Sequence, residues 1–142
     1  MGGDRIQSPP SLGDLGGLQV AFYTFKTPSK DRVIKVDWTE IAICVITASE
    51  LYFGAYNSSK IQNNLMTAET FIKSLTVLPL SDRTLKKFGQ LKAQLRKVGT
   101  PVADFDLLIA SVALTEDLIL VTNNTRHYQR IEELKLENWS VE

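Results

Sequence analysis

Three polar side chains stand where predicted helices and strands begin or end. Asp106 opens a predicted helix, Glu50 follows a predicted strand at residues 41–47, and Asn124 follows another at residues 118–121. In a parallel α/β sheet, helix N-termini and strand C-termini meet at one edge, where ligands bind. We therefore expect Glu50, Asp106 and Asn124 to lie together at that edge.

Carboxylates grouped in this way support metal-assisted hydrolysis of phosphodiesters. Mg²⁺ keeps several waters and is bound by one or two carboxylates together with substrate phosphates. Such ions activate water and stabilise the leaving oxygen, and carboxylates without a cation repel each other. We expect Asp106 to bind the metal directly and Glu50 to bind it or orient the attacking water. Asn124, being neutral, would hold a metal-bound water or position another ligand.

The acids also have a purely structural interpretation. Asp104 and Asp106 lie near the start of a predicted helix, where an acid caps free N–H groups and suits the positive end of the helix dipole. Glu50 is predicted at the same kind of position. Capping contributes only ~1 kcal/mol, and the sequence leaves both interpretations open.

The elements that position these residues follow an α/β pattern. Continuous apolar runs at residues 41–47 and 118–121 predict strands buried on both faces, near the centre of a parallel sheet. Residues 76–80 predict a third strand, placed at an edge or a strand end because Pro79 cannot donate to a ladder. Further helices are predicted from 48 to about 56, from 60 to 75, and between Ser81 and Gly99.

The remaining segments are less regular. Residues 1–17 contain many Gly and Pro residues and predict an irregular segment, which leaves residues 18–142 as the folded domain. Residues 18–25 fit a strand or a short buried helix, residues 31–36 a short helix, and residues 134–139 a last strand. His127 is the only histidine, and we interpret it as a surface or loop residue.

Composition restricts the class of protein. A chain of 142 residues predicts one domain. Its 16 basic residues balance 16 acidic ones, so any nucleic-acid surface must be local. The basic residues of the third predicted helix form either an ordinary solvated face or an RNA-backbone contact. They are Lys86, Lys87, Lys92, Arg96 and Lys97.

The cysteine count and the apolar stretches exclude other classes of protein. Cys44 is the only cysteine, which excludes an intrachain disulfide and a cysteine-rich metal site. No stretch reaches the ~20 apolar residues of a membrane span. The N-terminus lacks a basic segment followed by an apolar one, so we see no secretory signal. We expect a cytoplasmic protein without a membrane partner.

Four segments carry a family resemblance. They read VITASELYFGA at 45–55, TVLPLSD at 76–82, GTPVADFDLLIASVAL at 99–114 and LILVTNNTRHYQRIEELKLENW at 118–139. They resemble PIN-domain nucleases, in particular the VapC-type toxins of toxin–antitoxin pairs. The resemblance implies a PIN-like three-layer α/β fold, in which a small parallel sheet lies between helices and an acidic quartet occupies the strand C-ends.

The resemblance also implies roles for individual residues. The second family acid corresponds to Glu50 and the third to Asp106. The fourth, frequently Asn in these toxins, corresponds to Asn124. Asp104 matches an additional acid of some members, and Thr122 matches a threonine that shapes the site.

The chain departs from the family at its start. Where the family has Asp-Thr-Asn, which supplies its first metal ligand, this chain has Gly17, Leu18 and Gln19. The nearest acid is Asp14, which would need a shift of three residues to take that role. The first ligand of the family is therefore missing or replaced by Asp14.

Together these features predict a Mg²⁺-dependent endoribonuclease toxin, with Mn²⁺ as an alternative ion and impaired activity because of the missing acid. The resemblance implies an RNA substrate, a cognate antitoxin and a homodimer, with residues 51–56 and 60–75 as the candidate partner surface. The alternative is a catalytically degenerate PIN-fold module that dimerises or binds an antitoxin without cleaving RNA.

Overall fold

The computed structural model describes residues 21–24 and 40–138. Its five strands form one sheet in the order β3-β2-β1-β4-β5. The strands are β1 (Phe22–Thr24), β2 (Ile41–Cys44), β3 (Thr76–Leu78), β4 (Ile119–Val121) and β5 (Leu136–Glu137). The helices are α1 (Val45–Tyr56), α2 (Ile61–Lys73), α3 (Asp82–Lys97) and α4 (Asp104–Thr115).

The sheet contains both parallel and antiparallel strand pairs, and both antiparallel pairs involve its central strand. β2 pairs in parallel with β3, and β4 in parallel with β5. β1 runs antiparallel to both of its neighbours. The predicted α/β class is confirmed, and β2 and β4 flank the centre as expected, but the expectation of a wholly parallel sheet is wrong for β1. Burial on both faces does not depend on strand direction, so an apolar run cannot specify it.

Two apolar clusters cover the two faces of the sheet and make the three layers. One joins the sheet to α3 and α4 through residues such as Tyr23, Leu91 and Leu107. The other joins β2 to α1 and α2 through Ile43 and Phe71. The middle layer is therefore excluded from water on both sides, which explains why all three residues of β4 are buried.

Several predicted boundaries differ from the observed ones. The run at residues 41–47 is divided, because the strand ends at Cys44 and α1 begins at Val45. Glu50 therefore lies in the second turn of α1, and its interpretation as a first-turn acid is wrong. Leu85 belongs to the apolar residues that recur at helical spacing in α3, yet it is 48% exposed.

The predicted ends of α3 are confirmed. The backbone N–H of Thr84 donates to the Ser81 side chain, which caps the helix. Gly99 follows the helix with φ 77°, a left-handed conformation that suits glycine. The segments predicted at residues 1–17 and 31–36, together with Asp14 and Trp139, lie outside the described residues. Within the described residues, no helix is long and apolar enough to cross a membrane.

Candidate active site

The predicted site residues lie on α1, in the first turn of α4 and directly after β4. β2 leads directly into α1, which carries Glu50. Asp106 lies in the first turn of α4. β4 leads into Thr122 and Asn124, and Asn124 begins a short 3-10 turn over Thr125–His127.

Glu50 and Asp106 interact electrostatically. Partial desolvation and, second, the negative charge of Asp106 raise the pKa of the Glu50 carboxyl. This effect requires the two carboxylates to lie near each other, although α1 and α4 are far apart in sequence. α1 and α4 also contact each other, and Glu50 is more exposed than Asp106. We refer to these two residues as the acidic pair, and their role as metal ligands stays a prediction.

Both oxygens of the Asp106 carboxylate have partners. The Tyr128 hydroxyl donates to Oδ1 at 3.2 Å, and Nδ1 of His127 lies 3.0 Å from Oδ2. The Asp106 side chain is 24% exposed, whereas that of His127 is 51% exposed. Burial, followed by the charge of Asp106, raises the pKa of the Tyr128 hydroxyl well above its usual range, so Tyr128 remains a donor. Asp106 is thus held from two sides.

Asn124 reaches the acidic pair through His127. Its Nδ2 lies 3.0 Å from Nδ1 of His127, and its backbone N–H donates to Oγ1 of Thr122 at 3.0 Å. A single imidazole nitrogen either carries a proton or accepts one. If Nδ1 donates to Asp106, the Asn124 amide must turn its oxygen toward the ring. The two contacts therefore couple the orientation of the Asn124 amide to the tautomer of the His127 ring.

Asp104 lies apart from this network. Its carboxylate contacts Nζ of Lys92 on α3, at 3.0 Å through Oδ1 and 3.2 Å through Oδ2. The side chains of Lys92 and Asp104 are 47% and 56% exposed. The structure therefore does not bring Asp104 into contact with Asp106, and its catalytic role stays a prediction.

Comparison with known proteins identifies the family. The PIN domain family matches residues 20–134. The chain is 34% identical over 122 residues to "Ribonuclease VapC2" of Haemophilus influenzae. The matched region covers 84% of this chain and 92% of that relative. This chain belongs to the VapC-type PIN-domain family.

Further relatives of this PIN domain agree. The "tRNA(fMet)-specific endonuclease VapC" of Shigella flexneri is 38% identical over 101 residues, covering 71% of this chain and 76% of the relative. The solved structure "Crystal structure of DNA bound VapBC from Salmonella typhimurium" matches with a TM-score of 0.67 and 38% identity. The match covers 70% of this chain and 75% of that one.

The described residues of the PIN domain provide part of a ligand set for a hard cation. Within residues 21–24 and 40–138, no three His, Cys, Asp or Glu side chains are grouped so that they could hold a metal ion. Glu50 and Asp106 still offer carboxylate oxygens, and the charge of Asp106 on Glu50 is a repulsion that a cation would relieve. Because Mg²⁺ is commonly bound by one or two carboxylates and several waters, this pair fits Mg²⁺ as a minimal ligand set.

The sequence interpretation missed His127 and Tyr128 as site residues. His127 was predicted to be a surface or loop residue, and it is exposed in a short turn, but its ring also contacts Asp106. Tyr128 is 3% exposed and was not singled out at all. The one available signal was their position directly after Asn124, in the segment that carries the family resemblance.

Proposed function

We propose that this PIN domain is a Mg²⁺-dependent endoribonuclease toxin of a toxin–antitoxin pair. The observation that carries the proposal is the acidic pair of Glu50 and Asp106 on α1 and α4, in a chain of the VapC-type family. Relatives named as a ribonuclease and a tRNA(fMet)-specific endonuclease support RNA as the substrate.

Each residue would have a distinct task. Mg²⁺, when bound, would supply charge neutralisation for the phosphodiester and activation of water. Asp106 would hold the ion, because Tyr128 and His127 fix both of its oxygens. Glu50 would complete the ligand set or orient the attacking water, since its raised pKa makes it a better proton acceptor than an ordinary carboxylate. Asn124 would position a water or a further ligand without adding charge.

A metal titration tests this proposal. The purified chain is incubated with total RNA or tRNA at increasing Mg²⁺, and in parallel with Mn²⁺ or with EDTA. We expect cleavage that rises with the metal and disappears in EDTA, and that the Asp106→Asn variant lacks. RNA cleavage that persists in EDTA, or that Asp106→Asn retains, would contradict the proposed role of the acidic pair.

The proposal includes protein partners and a cytoplasmic location, where RNA and an antitoxin would be available. The VapBC structure named above supports an antitoxin as a partner. The candidate surface consists of exposed apolar side chains on and between α1 and α2, namely Phe53, Tyr56, Ile61 and Met66. We expect a homodimer in light scattering and co-purification with the product of a neighbouring gene. A strict monomer that retains no such product would count against these partners.

A second candidate function is a PIN-fold binding module that does not cleave RNA. It is favoured by Gly17, Leu18 and Gln19 at the position of the first family acid, and by the lack of a three-residue metal cage among the described residues. Two variants beside the parent separate the cases. Replacing the three residues by Asp, Thr and Asn should raise cleavage if the first ligand is missing. Asp14→Ala should abolish cleavage if Asp14 replaces it.

A further inference from the structure

A cavity lies between α3 and the segment that leads into α4. Its volume is about 350 Å³. Its lining residues are Lys92, Leu95, Arg96, Pro101, Val102 and Leu107. Leu107 directly follows Asp106, and consecutive Cα atoms are about 3.8 Å apart. The lining of the cavity therefore includes the residue that follows Asp106 in the chain, although Asp106 itself does not line it.

The cavity combines an apolar floor with a cationic rim. Leu95 and Leu107 are buried, with 8% and 0% exposure. Lys92 and Arg96 are exposed and lie four residues apart, so their side chains share one face of α3. The lining contains no carboxylate. Within the described residues, no carboxylate forms an ion pair with Arg96, so its charge is available to an anionic ligand.

A second cavity shows that this charge pattern is local. It measures about 210 Å³ and lies on another side of α3. Its charged lining residues are Arg130, Glu132 and Glu133, which sum to a net negative charge. An anionic ligand is therefore favoured by the first cavity and not by the second.

The volume, charge and apolar lining of the first cavity match those needed to bind a nucleotide. Ligand pockets usually begin at about 300 Å³. A nucleotide has an anionic phosphate that suits the cationic rim and a base whose apolar faces can pack on the aliphatic floor. We propose that this cavity is a nucleotide subsite for the RNA strand, in which Lys92 and Arg96 bind phosphate and Pro101 and Val102 support the base. The inference rests on the proposed function, because the occupant is the RNA strand that the proposed nuclease would cleave.

Asp104 has a defined place in this subsite. It presents two carboxylate oxygens to Nζ of Lys92, as a phosphate group would. Exposed ion pairs of this kind contribute only about 0.2–1 kcal/mol, so an RNA phosphate can displace Asp104 at little cost. Lys92 also lies 5.6 Å from the centroid of the Phe88 ring, which keeps its ammonium group near the rim.

The test measures RNA binding separately from cleavage. A labelled single-stranded RNA of about 12 nucleotides, within the usual range of site sizes, is titrated in EDTA, and fluorescence anisotropy is followed between about 50 and 200 mM salt. The test variant is Lys92→Gln with Arg96→Gln. The control variant is Lys86→Gln with Lys97→Gln, which removes the same charge from the same helix. Each pair includes one lysine that is ion-paired with an exposed aspartate, Asp104 or Asp82.

The expected result is specific to the cavity. The test variant should bind about tenfold or more weakly at low salt. Its slope of log affinity against log salt should fall by about 1.4, since each phosphate contact to a single strand contributes about 0.7. The control variant should stay within about twofold of the parent. Arg96→Lys, which keeps the charge, should retain most of the parent slope.

Several outcomes would overturn the subsite, and they are distinct from failure of the proposed function. The subsite is refuted if the parent does not bind the RNA, if both double variants weaken binding equally, or if neither does. A parent that binds through Lys92 and Arg96 but never cleaves RNA with Mg²⁺ refutes only the proposed function. A parent that cleaves while the test variant binds and cleaves equally well refutes only the subsite.

Discussion

Tyr128→Phe isolates the group that holds Asp106. The change removes only the hydroxyl that donates to Oδ1 of Asp106 at 3.2 Å, and it leaves the buried ring in place. Among the described residues, Asp106 would keep one side-chain hydrogen-bond partner, Nδ1 of His127. We therefore expect Tyr128→Phe to weaken both the stability of the fold and the response of the site to Mg²⁺.

The size of the stability effect follows from the geometry. A hydrogen bond to a charged group contributes about 1.5–3 kcal/mol. The distance of 3.2 Å is long for an O–H donor, so the lower value applies. Unfolding entropy of about 2.1 cal/mol/K per residue amounts to about 0.3 kcal/mol/K for this chain. A loss of about 1.5 kcal/mol therefore lowers Tm by about 5 °C.

The functional effect is measured as the Mg²⁺ concentration that gives half-maximal RNA cleavage. Partners that orient a metal ligand typically contribute 10- to 100-fold in metal affinity, and Tyr128 is one of two such partners here. We expect the half-saturating Mg²⁺ concentration to rise about tenfold. The rate at saturating Mg²⁺ should change less, because Asp106 itself is still present.

Tyr23→Phe is the matched control. Tyr23 is also fully buried, but its hydroxyl donates to the backbone carbonyl of Ile109 at 2.7 Å instead of to a carboxylate. Its loss should cost about 1 kcal/mol and should leave the half-saturating Mg²⁺ concentration unchanged. If the two variants change the Mg²⁺ response equally, or if neither changes it, Tyr128 does not position Asp106 and the reasoning is refuted.

The remaining predictions concern the acids. Asp106→Asn should abolish Mg²⁺-dependent cleavage, because it removes the charge of a carboxylate ligand from a site that has few of them. Circular dichroism should still show the folded domain, and a lost fold would contradict this prediction. Glu50→Gln should stabilise the folded domain at neutral pH. Desolvation and the charge of Asp106 raise the pKa of Glu50 above its usual 4.5, so ionisation of Glu50 lowers the stability of the folded state. Tm should therefore match the parent below pH 4.5 and exceed it at neutral pH, and a lower Tm at neutral pH would refute this. Asp104→Asn frees Lys92 and should tighten RNA binding in EDTA by up to about fivefold; a rise in half-saturating Mg²⁺ instead would assign Asp104 to the metal.

Local pattern accounts for most of the helices and strands. Apolar residues at helical spacing, the cap at Ser81 and the glycine at position 99 act within a few residues of themselves, so the sequence predicts α2 and α3 closely. The boundary between β2 and α1 was harder to predict. Residues 41–46 are apolar throughout, and such a run fits a buried strand and a buried helix equally well.

The acidic pair was predictable for a different reason. Glu50 and Asp106 follow from the rule that strand C-ends and helix N-termini share one edge of an α/β sheet. That rule places residues at an edge without specifying their contacts. Asp104 and Asp106 are two residues apart, yet the structure turns Asp104 toward Lys92 and Asp106 toward Tyr128.

The sequence by itself determined the α/β class and the family, because periodicity, capping and motif spacing are local properties. The acids that would carry the chemistry stay a prediction from the same patterns. Only the tertiary structure decided the direction of β1, the partners of Asp106 and the cavity between α3 and the segment that leads into α4. His127 and Tyr128 lie more than 20 residues from Asp106 in the chain, and Lys92 lies on a different helix from Asp104. Contacts of this kind exist only after the layers pack, since packing selects which side chains of neighbouring elements meet.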